Sequence, residues 1–135
     1  MTEVTITFTI PEMVKLISCC NQAMSSVYTS MHYNGNTPVI NGRFTPLDSI
    51  NFIDDIKKKL KDTISAQFHK ANGQYSVTLT IQEFIKLNAC CNSAIESEEK
   101  ICSLISSDSV SLIGYKESIK DIENLKAKIK SHLQR

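Results

Sequence analysis

One stretch of this chain occurs twice. Residues 5–24 read TITFTIPEMVKLISCCNQAM and residues 76–95 read SVTLTIQEFIKLNACCNSAI; at a constant offset of 71 they agree at 10 of 20 positions. Ordinary residue usage gives unrelated segments roughly one agreement in fifteen. Most of the other positions are swaps of like for like, such as Phe8 for Leu79 and Val14 for Ile85. Further on, SINFIDDIKKKLKDTI at 49–64 lies over SIKDIENLKAKIKSHL at 118–133 with 6 of 16 identities, now at an offset of 69. The connection between the matched stretches has thus lost two residues, as exposed connections tolerate. The chain reads as an internal duplication, with repeats over 4–72 and 75–135 making one compact domain over 1–135.

Each repeat opens with strict alternation. Val4, Ile6, Phe8 and Ile10 share one face with Thr5, Thr7 and Thr9 on the other, and Val77, Leu79 and Ile81 alternate with Ser76, Thr78 and Thr80. That period of two predicts a half-buried strand. A helix follows at once, because Thr9 with Glu12 and Thr80 with Glu83 have capping-box spacing, and Pro11 suits a first turn. Met13, Leu16, Ile17, Cys20, Met24 and Val27 then recur at helical steps to about Thr29 or Ser30, and Phe84, Leu87, Cys91 and Ile95 do the same in the second copy. Residues 32–45, HYNGNTPVINGRFT, break the pattern, and a small hairpin closed by Asn41 and Gly42 fits them. Another helix is expected from Pro46, capped by Thr45, to about Lys70, with its counterpart closing the second repeat after a shorter connection through 106–115.

A single strand with two helices buries too little, so two copies must cover each other's apolar faces. The fold class is therefore α+β and mostly helical: a tandem strand-helix-loop-helix unit related by a pseudo-twofold, with a small antiparallel sheet packed by four helices on one side. The arrangement is that of an isologous dimer whose subunits have been joined. A two-stranded sheet has edges to protect, which points to a homo-oligomer.

Composition narrows the function classes. A formal net charge of +1, two arginines and no tryptophan give nucleic-acid readout little to work with. There is no apolar run long enough for a membrane span and no secretory pattern at the start, so a cytoplasmic location is expected. Five cysteines, an odd number and all in helical context, fit a reducing compartment. The adjacent pairs Cys19-Cys20 and Cys90-Cys91 splay about 100° apart on a helix, unlike metal ligands two to four residues apart. Cys20 and Cys91 fall on the apolar face and read as core.

Glu12 and Glu83 are explained by capping, and Lys15 and Lys86 read as their exposed neighbours. The lysine runs at 57–61 and 126–130 read as a solvated face, with Asp54 and Asp55 placed to pair with Lys58 and Lys59 at i,i+4. The candidate binding residues are few. Asn21 and Asn92 stand at the same point of both copies on the border of the apolar face, with Asn88 one turn before Asn92; they read either as a hydrogen bond fixing register between repeats or as polar fingers for a ligand. Tyr33, Arg43 and Phe44 lie in the connection that the second copy lacks, and loops carry divergent function.

No catalytic set, metal set or cofactor signature emerges, so neither enzyme activity nor a cofactor is expected. The chain reads as a non-enzymatic protein-binding or regulatory, inhibitory protein acting by occupying a partner, as a phage or mobile-element accessory protein in a host cytoplasm would. The alternative is a small-molecule or nucleotide-sequestering protein with a cleft between repeats or subunits.

Overall fold

The computed structural model describes residues 2–34, 46–69, 72–106 and 109–134, with backbone alone at 30–34 and 46. Strands β1 (Glu3–Thr9) and β2 (Gln74–Thr80) pair antiparallel, with Ile6 opposite Val77 and Phe8 opposite Tyr75. Their alternation sorts the side chains as the sequence predicts. Ile6, Phe8, Tyr75, Val77 and Leu79 are buried, while Thr5, Thr7, Ser76 and Thr78 face outward. On the outer face the Thr5 and Thr78 hydroxyls meet at 2.7 Å. β2 begins at Gln74, earlier than the periodicity alone suggests, because Gly73 at φ 77° supplies the turn that starts it.

Among the described residues four helices complete the fold: α1 (Ile10–Asn34), α2 (Pro46–Gln67), α3 (Ile81–Leu104) and α4 (Val110–Leu133). Both capping boxes form. The Thr9 N–H donates to Glu12 Oε1 at 2.8 Å while Glu12 N–H donates to Thr9 Oγ1 at 3.3 Å, and Thr80 with Glu83 makes the same two bonds at 2.9 and 3.1 Å. Two boundaries differ from the sequence reading. α1 runs on to Asn34, so Tyr33 belongs to its last turn, and α4 starts at Val110, where Ser109 caps it by accepting from Ser111 N–H at 3.2 Å. The hairpin expected around Asn41 and Gly42 and the Thr45 cap lie outside the described residues.

One cluster of buried side chains joins both strands and all four helices. It includes Met13, Leu16, Ile53, Ile56, Leu60, Phe84, Leu87, Ile122, Leu125 and Ile129, which are the helical stripes, but the stripes thin out at their ends, where Leu47 and Phe68 are exposed. Cys19 and Cys90 are buried along with Cys20 and Cys91, so all four thiols sit in the core rather than two. Cys20 neighbours Cys90, and Cys91 neighbours Cys19. The neighbouring thiol, with burial next, pushes the thiols of Cys20 and Cys91 well above the usual range, so these two groups stay neutral.

The edge of β2 is occupied at one point. The side-chain amide of Gln67, in the last turn of α2, donates to the Ser76 carbonyl and accepts from the Ser76 N–H, both at 2.9 Å. A single side chain thereby meets both backbone groups that a neighbouring strand would have met.

Candidate functional site

Polar links between the two halves fix where the helices stand. Lys59 Nζ on α2 lies 2.6 Å from Glu83 on α3, and Lys128 Nζ on α4 lies 3.1 Å from Glu12 on α1. Burial raises both carboxyl groups, but for Glu83 the Lys59 ammonium and the Thr80 N–H outweigh it, and for Glu12 the Thr9 N–H and Lys128 do, so both are held below the usual glutamate range. The expected Asp55–Lys59 pair therefore gives way to a contact 24 residues along the chain, while Asp54–Lys58 forms as expected at 3.3 Å. Lys15 and Lys86 are half-buried rather than free. They donate to Ser118 Oγ at 2.9 Å and Ser49 Oγ at 2.8 Å.

A groove of about 540 Å³ runs between α3 and α4. Ile85, Asn88 and Asn92 line it from α3, at the three- and four-residue steps that share a helix face. From α4 come Glu123, Lys126, Ala127, Lys130 and Leu133. The Oδ1 atom of Asn88 is buried and meets no donor among the described residues. Leaving a buried acceptor unmatched costs about 1–3 kcal/mol, so such an atom has to be explained. A second depression, about 500 Å³, is lined by Asp48, Asn51, Phe52, Asp55 and Gln82, and its two carboxylates give it the opposite character.

The structure thus brings together two of the sequence-derived candidates, Asn88 and Asn92. Asn21 is exposed on α1, away from that groove. The side chains of Tyr33, Arg43 and Phe44 lie outside the described residues. Lys126 and Lys130, read from the sequence as solvated, form one wall of the groove. Their spacing with Glu123 and Ala127 at i, i+3, i+4 and i+7 is the signal that could have placed them on a common face.

The far end of the α3–α4 hairpin is apolar. Leu104 and Val110 are 86% and 83% exposed, with Ile101 and Ile113 also exposed beside them in sequence. Among the described residues, no group of three or more His, Cys, Asp or Glu side chains is arranged to hold a metal, and no helix is long and apolar enough to cross a membrane. No family model, curated protein or solved structure matches the chain.

Proposed function

We propose that this chain is a joined pair of equivalent units about a pseudo-twofold, and that it works without catalysis, by occupying a partner protein. The symmetry is supported by contacts that come in exchanged pairs. Shifting residues by the sequence offsets turns Lys59–Glu83 into Lys128–Glu12 and Lys86–Ser49 into Lys15–Ser118. It also turns Cys20–Cys90 into Cys91–Cys19, and it maps the Ile6–Val77 strand pair onto itself, which sets the axis there.

The observation that carries the binding role is the apolar end of the α3–α4 hairpin. Water-exposed Leu104, Val110, Ile113 and Ile101 clustered at one hairpin end suit a protein surface that covers them. Such a protein fits the part of a regulator or inhibitor, of the accessory kind that phages and mobile elements carry into a host cytoplasm. A second copy of the chain is a further partner. Gln67 occupies one point of the β2 edge, so β1 offers the freer edge for it.

The test is affinity capture from the native host with the wild-type chain and with the double variant Leu104→Ser, Val110→Ser. The partner is expected to be lost with the variant while its circular dichroism is unchanged. Capture that survives both substitutions would sink the assignment of this surface. Light scattering that gives the mass of one chain at high concentration would remove the second-copy reading.

The alternative reading, a small-molecule or nucleotide binder, is favoured by one observation, the buried and unmatched Oδ1 of Asn88, a residue that lines the α3–α4 groove. It moves the cleft from between the repeats to within the second one.

A further inference from the structure

The lining of the groove between α3 and α4 differs from the matched surface of α1 and α2 at two positions. Where α1 has Ile17, α3 has Asn88, and where α2 has Lys58, α4 has Ala127. Lys58 is engaged by Asp54 at 3.3 Å. The counterpart of Asp54 is Glu123, and four residues on from it stands Ala127, whose methyl group does not reach across the groove. Packing alone does not call for either change. An isoleucine suits this place on the helix in the first copy, and it leaves no acceptor to satisfy.

The lining is chemically divided. Ile85, more than half exposed and one turn before Asn88 on α3, and Leu133, one turn after Lys130 on α4, give the groove an apolar lining. Asn88 and Asn92, one helical turn apart, place two side-chain amides along the groove, the kind of group that reads the edge of a heterocyclic ring. Lys126 and Lys130 are likewise one turn apart, and neither is in an ion pair among the described residues. Two ammonium groups at that spacing converge on a phosphate. The volume of about 540 Å³ falls within the range of small-ligand sites.

We propose that the α3–α4 groove binds a nucleotide, with the ring against Ile85 and Leu133, its edge hydrogen-bonded to Asn88 and Asn92, and its phosphate on Lys126 and Lys130. The proposal rests on the small-molecule reading above and is independent of the apolar hairpin end. Glu123 offsets one of the two lysines, and the C-terminal end of α4 carries a further partial negative charge, so the field favouring a phosphate is modest. Affinity should therefore weaken as salt is raised.

The experiment is a ¹⁵N–¹H NMR titration of the full chain with AMP, GMP, CMP and UMP, with adenosine and inorganic phosphate as separate arms. At least one nucleotide is expected to shift the side-chain amides of Asn88 and Asn92 saturably, more strongly than adenosine or phosphate alone. Asn88→Ile places the residue of the first copy in the second, so it should leave thermal stability unchanged or raised while abolishing those shifts. Lys130→Ala should weaken binding roughly tenfold, the scale of one hydrogen bond to a charged group. Leu104→Ser should leave the titration untouched, which separates this site from the partner surface. No shifts at millimolar nucleotide, or shifts equalled by phosphate alone, would overturn the proposal. So would an Asn88→Ile variant that binds as wild type, or one that is markedly destabilised, since the asparagine would then be structural.

Discussion

The α1–α2 and α3–α4 helix pairs share an apolar register, a capping box and a half-buried lysine, yet they differ in how each holds its glutamate. Glu83 keeps only 9% of its side chain exposed and meets Lys59 at 2.6 Å, whereas Glu12 is 29% exposed and meets Lys128 at 3.1 Å. The same residue type at the same helix position is thus a nearly buried link in one half and a partly solvated one in the other. The residues that build the core and the caps are alike in the two helix pairs, while the surface around them is not.

The largest effects should be the ones that both halves share. Leu16→Ala and Leu87→Ala each empty a fully buried matched position and should each cost about 2–5 kcal/mol in urea unfolding. Costs that differ by more than the spread of repeated measurements would show that the two helix pairs do not carry the core equally.

The glutamates come next. Glu83→Ala removes a cap and a charged hydrogen bond from a buried site and should cost about 2–3 kcal/mol, against about 1 kcal/mol for Glu12→Ala. Equal losses would erase the contrast in burial. The pH dependence follows from the same pair. Both carboxyl groups are lowered in the folded state, so below the ordinary value of 4.5 the unfolded chain binds more protons. Their contribution is complete above that value and disappears as pH falls through the folded pKa. Glu83→Gln should flatten the loss of stability in acid more than Glu12→Gln, as chemical denaturation between pH 6 and pH 3 will report.

The smallest effects sharpen the comparison at the groove. Lys58→Ala breaks an exposed i,i+4 pair and should cost about 0.3–0.5 kcal/mol. Ala127→Lys builds the same pair with Glu123 in the second half and should gain a similar amount. Thermal melts of the two variants moving in the same direction would show that the surfaces are not equivalent.

Strands, caps and helical stripes were legible in the sequence because each is written in near neighbours. The alternation of Thr5, Thr7 and Thr9 with Ile6 and Phe8, or the spacing of Thr80 and Glu83, needs no knowledge of what lies across the core. Partners chosen by packing were not. Lys59 has Asp55 within reach on its own helix and still goes to Glu83, because α3 presents a carboxylate already fixed by its cap. Lys15 and Lys86 looked exposed because the serines that receive them sit on other helices. The burial of Cys19 and Cys90 has the same origin, since a face that one helix alone leaves wet is covered once α1 and α3 meet. Of the candidate site, Asn88 and Asn92 could be singled out from their place on the helix. The lysine wall opposite them could not, because a stripe of charge on one helix does not say that another helix stands beside it.

The four core thiols also make the molecule its own gauge of opening. Cys102 is partly exposed and accessible to an alkylating reagent, but Cys19, Cys20, Cys90 and Cys91 are enclosed where the two halves meet. A reagent reaches those four only when α1 and α3 part, because burial keeps it from the sulfurs. Mass spectrometry of a timed labelling reaction would therefore count two populations, chains with one adduct and chains with five. Intermediate masses would mean that the halves loosen without coming apart, and their absence would mean that the seam opens as a single event.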